Sequence, residues 1–225
     1  MKPMDDKHFA VLRRHMIEVI GIHFDQLEEE LGKAMLDERV AEAMSRVPRH
    51  LFVPEQLVQH AYQDMPLPIG FEKTISQPFI CALMTDLLAP RQHDKVLEVG
   101  TGLGYQTAIL AELAHVVWSV EIVEEFAEDA QRLLDQLGYA NVCIRTGDGS
   151  RGWPEHAPFD KIMVTAAAER VPPPLLEQLQ PSGRLVMPLG PLRAQQLTVV
   201  EKSADGTVHS RAVMPVRFTQ LETVT

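Results

Sequence analysis

From residue 94 onward, short apolar segments alternate with amphipathic ones. Residues 95–99, 116–120, 141–145 and 161–165 are brief, mostly apolar runs bounded by glycine-bearing or polar turns, a pattern that predicts strands. Between them, residues 105–113 and 124–137 place apolar side chains at helical spacing. A helix around 174–179 and a strand at 185–187 follow. Strands of this kind separated by helices predict a mainly parallel sheet covered on both faces. The end of the chain differs. Residues 196–201, a turn at Asp205-Gly206 and residues 208–218 predict an antiparallel hairpin that closes the sheet edge.

The first 90 residues read as helices and loops. Phe9, Leu12, Met16 and Val19 line one side of a helix over 7–20. A second helix, 37–44, ends before Pro48, with Asp37 placed to cap its start. Two prolines and a glycine in Pro66-Leu67-Pro68-Ile69-Gly70 exclude a regular helix there. Thr74-Ile75-Ser76-Gln77-Pro78 then leads into an apolar helix over 79–88, with Ser76 the expected N-cap. With no internal repeat or low-complexity linker, the expectation is one domain over 1–225: a helical and loop layer, 1–90, on an α/β ligand-binding core, 91–225.

Composition narrows the classes. The 225 residues are 45% apolar and 23% charged, which excludes wholesale disorder. No run approaches the roughly 18 apolar residues of a membrane span. Residues 1–7 are polar and lack the apolar run of a secretory signal, so a cytoplasmic location is expected. A net charge of -10 opposes general affinity for nucleic-acid backbone. Cys81 and Cys143 form no CxxC pair and are expected to be reduced core residues. Nine histidines show no HExxH spacing, and no metal is expected.

Candidate chemistry gathers at the ends of the predicted strands. Glu98-Val99-Gly100-Thr101-Gly102-Leu103-Gly104 stands where the first strand of the core meets its helix. Glycines there allow a tight turn and close approach of a ligand to the helix N-terminus. Glu121, at the end of the next strand, suits a bidentate hydrogen bond to two ribose hydroxyls. Gly147-Asp148-Gly149, at the end of the third, suits an adenine edge. The spacing is GxGxG rather than the GxGxxG of dinucleotide sites, and Glu98 precedes it. A carboxylate there repels phosphate and suits an ammonium, unless it serves to order the loop. S-adenosylmethionine has the ammonium, the ribose and the adenine without a phosphate. Glu98, Gly100, Thr101, Gly102, Glu121, Asp148 and Gly149 are therefore the expected cofactor residues.

With these motifs in place, the chain resembles the protein-L-isoaspartate O-methyltransferases. The resemblance rests on Pro66-Leu67-Pro68-Ile69-Gly70 with Thr74-Ile75-Ser76-Gln77-Pro78, and on Val96-Leu97-Glu98-Val99-Gly100-Thr101-Gly102. It continues through Gly138-Tyr139, Asn141-Val142, Gly147-Asp148-Gly149, Gly152-Trp153-Pro154, and Ala157-Pro158-Phe159-Asp160 to Val164-Thr165-Ala166-Ala167-Ala168. The resemblance implies a Rossmann-like methyltransferase fold. It implies methyl transfer from S-adenosylmethionine to the free carboxylate of isoaspartyl residues in damaged proteins or peptides, with no membrane or nucleic-acid partner and a monomeric enzyme. It also implies that Thr74, Ile75 and Ser76 line the active site, with Ser76 catalytic.

Two segments depart from the family. Glu72-Lys73 replaces the usual Gly-Gln, and Thr219-Gln220 replaces Val-Pro after Val216-Arg217-Phe218. Arg217 is a further candidate for a substrate carboxylate, against a solvated strand residue. The alternative functional reading is a methyltransferase of the same fold acting on another peptide or small molecule. A non-catalytic cofactor binder and a nicotinamide oxidoreductase follow it. Few catalytic side chains are needed for the first reading. A carboxylate is ionised at pH 7, so Ser76 is better read as a hydrogen-bond donor that aims it than as a nucleophile.

Overall fold

The computed structural model describes residues 6–224, so the first five residues of the polar N-terminal segment lie outside the described residues. Helix α1, Asp6–Gln26, runs past residue 20 because Phe24 continues the buried stripe of Phe9, Met16 and Ile20. A single turn, α2 (Glu28–Leu31), ends at Gly32 in the left-handed conformation. Helix α3, Glu38–Arg46, begins as the sequence predicts, with the Asp37 carboxylate accepting from Arg39 N–H at 2.9 Å.

The proline-rich stretch holds a hairpin that the sequence reading left irregular. Strands β1, Leu67–Gly70, and β2, Lys73–Ile75, pair antiparallel through a two-residue loop, Phe71-Glu72. Both loop residues have positive φ, 49° and 57°, the primed turn that suits hairpin twist but favours Asn and Gly. Phe71 gains an edge-on contact with Phe126, ring centroids 5.3 Å apart. Exposed Glu72 gains no such contact. A non-glycine residue in this region costs about 1–2 kcal/mol, partly offset by the greater chain entropy of glycine when unfolded. Glu72→Gly is expected to stabilise the fold by about 0.5–1 kcal/mol, a rise in Tm of about 1–4 °C by calorimetry. A fall in Tm would contradict this strain.

Helix α4, Pro78–Leu88, corrects the expectation for Ser76. The N-cap is Gln77, and its side chain does not cap. Asp64 does the work instead, accepting from Phe79 N–H and from the Gln77 amide, both at 2.8 Å. Ser76 stands one residue earlier, its hydroxyl free of capping duty.

The remaining elements form a seven-stranded sheet of order β5-β4-β3-β6-β7-β8-β9. They are β3 (Lys95–Val99), α5 (Tyr105–Leu113), β4 (Val116–Glu121), α6 (Glu124–Gln136), β5 (Val142–Thr146), β6 (Phe159–Val164), α7 (Pro173–Gln178), β7 (Leu179–Leu189), β8 (Gln195–Lys202) and β9 (Val208–Val216). The first five sheet positions are parallel, and β8 and β9 add the antiparallel edge. This is a doubly wound, Rossmann-like α/β architecture with an antiparallel edge, as the sequence predicts. Side chains alternate between two cores. Val96, Val117 and Met163 pack under α1, α3, α4, α5 and α6, whereas Leu97, Val99, Ile162 and Val164 pack against α7 and the turns beside it. No described helix is long and apolar enough to cross a membrane. The chain leaves β3 toward β4 and β5, then returns to the other side of β3 as β6. That reversal opens a crevice outside the carboxyl ends of β3 and β6, the usual ligand position in such sheets.

Candidate active site

A cavity with about 860 Å³ of open space, mouth included, occupies that crevice. The loop Gly100-Thr101-Gly102-Leu103 forms one wall, and Thr165-Ala166 after β6 another. Lys73, Thr74, Ile75 and Ser76 of the hairpin face them, and Thr219, Gln220, Leu221 and Glu222 of the C-terminal tail complete the rim.

Close packing dictates the glycine at 100. Its φ is +94°, and a Cβ there would collide with Thr165 Oγ1. That hydroxyl is fixed, donating to the carbonyl oxygens of Gly100 at 2.8 Å and Val99 at 3.1 Å. A Cβ at Gly149 would likewise run into Val99 Cγ1. Both glycines are needed to bring three strand ends together around one space.

Glu121 ends β4 on the cavity wall. Oε2 accepts from Gly102 N–H at 2.7 Å, and Oε1 accepts from Ile122 and Val123 N–H at 2.9 and 3.0 Å. Of the roughly four lone-pair positions of a carboxylate, one on Oε2 is left. The glycine loop and the end of β4 are thereby locked to each other before any ligand enters.

Glu98 takes a different place from the one expected. It shares a face of β3 with Val96 and is fully buried beneath the loop, off the cavity wall. Thr107 and Ser119 hydroxyls donate to Oε2 at 2.5 and 2.6 Å, and Ser119 also contacts the Thr101 hydroxyl at 2.6 Å. The structure thus corrects direct contact with a ligand ammonium to ordering of the loop through Ser119 and Thr101. Burial pushes the Glu98 carboxyl up to about 7, against the opposing pull of these two hydroxyls. The folded state therefore holds a proton that the unfolded chain releases near pH 4.5, so this group's contribution to stability falls as pH rises from about 4.5 to 7. Glu98→Gln is expected to remove that fall, making the variant more stable than wild type at pH 8 by on the order of 2 kcal/mol and equal to it near pH 4.5. Tm against pH for the two proteins checks this; parallel curves would contradict it.

Asp148 is also engaged elsewhere. Oδ1 accepts from Ser150 N–H and hydroxyl at 2.9 and 2.7 Å, and Oδ2 from Val224 N–H at 3.1 Å. Burial alone would raise its carboxyl, but these bonds outweigh burial and hold it below the usual range. In this structure Asp148 anchors the tail beside the cavity, and its neighbour Gly149 reaches the wall. Arg217 does not line the cavity either. It lies in an adjoining open groove with His23, Phe79 and Met214, which shares Thr74, Ser76, Thr165 and Thr219 with the cavity. Trp153 packs edge-on against Trp118, with Arg145 over its ring, away from the site.

Several wall residues carried no sequence signal. Thr165 comes from the small-residue run after β6. The tail follows the predicted hairpin, which ends at Phe218. It hydrogen-bonds to Ala167 through Thr219 and Leu221 and pairs Glu222 with Lys73 across the mouth. The two segments that depart from the resembled family therefore stand on the same rim. Cys81 is buried and reaches the cavity, whereas Cys143 is only half-buried.

The wall suits a nucleoside joined to an amino acid better than a dinucleotide. Lys73 is the one basic side chain among the described lining residues, against Glu121 and Glu222, so a pyrophosphate would meet net repulsion. Residues 24–224 match the family described as Protein-L-isoaspartate(D-aspartate) O-methyltransferase. The chain belongs to that family. It is 56% identical over 219 residues to Protein-L-isoaspartate O-methyltransferase 1 of Polaromonas sp. (strain JS666), covering 97% of this chain and 93% of that protein. It is 52% identical over 217 residues to Protein-L-isoaspartate O-methyltransferase 2 of Syntrophobacter fumaroxidans, covering 96% and 88%. A solved protein-L-isoaspartate O-methyltransferase superposes with a TM-score of 0.80 at 28% identity, covering 92% of this chain and 65% of that one. A Plasmodium falciparum structure in complex with S-adenosyl-L-homocysteine shares the fold, with a TM-score of 0.77 at 22% identity over 93% and 98%.

Proposed function

We propose that this enzyme transfers the methyl group of S-adenosylmethionine to the free carboxylate of L-isoaspartyl residues in damaged proteins and peptides. Family membership and the fold carry the cofactor and the activity. The observation that supports the site is the meeting of Thr74-Ile75-Ser76 with the glycine loop and Glu121 around one cavity that opens into a groove.

Gly100, Gly102, Thr101 through its bond to Ser119, Glu121 and Gly149 would hold the cofactor. Its ribose hydroxyls would take the remaining lone pair of Glu121 and compete with Gly102 N–H for another. When bound, the cofactor supplies an electrophilic methyl group on a sulfonium. The acceptor carboxylate is already ionised at pH 7 and needs no base. Ser76 donates a hydrogen bond to one carboxylate oxygen and leaves the other free to approach in line, an effect of proximity and orientation. Ile69, Ile75, Val99, Val120, Leu103 and Phe126 supply an apolar wall. Opposite charges cancel as the methyl moves, so a poorly solvated site favours the transition state. Burial pushes the Cys81 thiol up to about 11, which keeps this neighbouring sulfur protonated and out of competition as a methyl acceptor.

The groove, with Arg217 and His23 on its walls, would take the polypeptide around the damaged residue. In the same reading the enzyme acts as a monomer in the cytoplasm.

Ser76→Ala is expected to lower kcat for an isoaspartyl peptide by about tenfold or more, the loss of one charge-assisted hydrogen bond. Affinity for S-adenosylhomocysteine and Tm should hold, because Ser76 caps no helix. An unchanged rate would remove Ser76 from the site. The activity itself is tested by methyl transfer to an isoaspartyl peptide and to its matched aspartyl twin. A base-labile ester on the first alone is the expected result. Transfer to neither peptide would favour the reading with another acceptor.

A further inference from the structure

Arg49 opens the short turn Arg49–Phe52 and is fully buried. Nε donates to the Ala61 carbonyl at 2.8 Å, and Nη2 donates to the Ser76 carbonyl at 2.7 Å. The guanidinium lies 4.6 Å from the ring centroid of Tyr105, which lines the cavity. Nη1 has no hydrogen-bond partner among the described residues, and neither has the Tyr105 hydroxyl. None of the ion pairs among the described residues includes Arg49. Asp64, a nearby acid, is committed to His23, Gln77 and Phe79 N–H.

A guanidinium cannot shed its proton, so the charge is permanent. Burying it without a counter-ion is costly. Two carbonyls, the Cys81 thiol and an aromatic face solvate the guanidinium, but none of them carries a charge that neutralises it. The charge stands one peptide unit behind Ser76, the residue proposed to aim the acceptor.

We infer that Arg49 is a positioning residue for the acceptor: it fixes the Ser76 backbone and its uncompensated charge draws a carboxylate, rather than a neutral group, to the cavity. The inference rests on the carboxylate-methylation reading above. It has a directional consequence. The carboxylate loses its charge as the ester forms, so the attraction is stronger for the bound acceptor than for the transition state. Arg49 therefore tightens acceptor binding and slows the transfer step to a smaller degree.

The experiment compares wild type, Arg49→Met and Arg49→Lys on an isoaspartyl peptide as substrate. The same peptide carrying the carboxamide in place of the free carboxylate serves as a neutral competitive inhibitor. In Arg49→Met, KM for the isoaspartyl peptide is expected to rise about tenfold or more while kcat is unchanged or rises by less than that factor. The Ki of the carboxamide peptide and the Kd of S-adenosylhomocysteine should stay within twofold, and Tm should fall by a few degrees, because the Ala61 and Ser76 carbonyls lose their donors. Arg49→Lys, which keeps the charge, should recover most of the rise in KM. An equal weakening of both peptides, a fall in kcat at constant KM, no effect, or a Met variant that fails to fold would each overturn the inference in favour of a structural role. A wild-type enzyme that methylates no isoaspartyl peptide would instead overturn the reading beneath it.

Discussion

Gly100→Ala is expected to abolish measurable binding of S-adenosylhomocysteine, a loss of at least 100-fold, and to lower Tm by several degrees. Two separate costs act. At a φ of +94° an alanine carries left-handed strain of about 1–2 kcal/mol. Its Cβ would also collide with Thr165 Oγ1, whose bonds to the Val99 and Gly100 carbonyls join the ends of β3 and β6. Relief requires the loop or Thr165 to move, and either movement reshapes the cavity wall. Gly206→Ala separates the two costs. Its φ is +87°, but nothing lies within 4 Å of the added Cβ, so only the strain remains. Calorimetric titration and thermal melts of both variants check the prediction. If Gly100→Ala binds as well as Gly206→Ala does, the close approach of β3 and β6 is not part of the site.

Glu121→Ala should weaken S-adenosylhomocysteine by at least about 100-fold, the loss of two charge-assisted hydrogen bonds at about 1.5–3 kcal/mol each. It also strips the acceptor from the Gly102, Ile122 and Val123 amides, so Tm should fall as well. The two effects are separable by ligand. An analogue lacking both ribose hydroxyls should bind wild type and variant with nearly equal, weak affinity, whereas the natural ligand should distinguish them. Equal weakening of both ligands would mean that Glu121 only orders the loop and does not hold a ribose.

The parallel core was legible because its strands are apolar on both faces, and its helices keep a period that local turns do not disturb. The hairpin of β1 and β2 was hidden. Its strands are short, two prolines interrupt the alternation, and Phe71-Glu72 is an uncommon pair for a turn with positive φ at both positions. Glu121 and the glycines were legible as a spacing, and the structure brings them to one wall. Glu98 and Asp148 carry the same spacing signal but satisfy other partners, since a sequence shows which strand end an acid occupies and not which hydroxyls surround it. Arg49 and the tail left no pattern because their roles depend on contacts between separate elements: Arg49 reaches Ser76, and Glu222 reaches Lys73. The Ser76 expectation failed on a similar distant contact, from Asp64 to the start of α4.

The most direct test is a crystal structure with S-adenosylhomocysteine and an isoaspartyl peptide bound together. The expected result places the ribose at Glu121, one acceptor oxygen within hydrogen-bond reach of the Ser76 hydroxyl, and the other within about 5 Å of the sulfur, room for one methyl group in line. A nucleoside bound outside the crevice between β3 and β6, or a peptide carboxylate seated away from Ser76, would contradict the account.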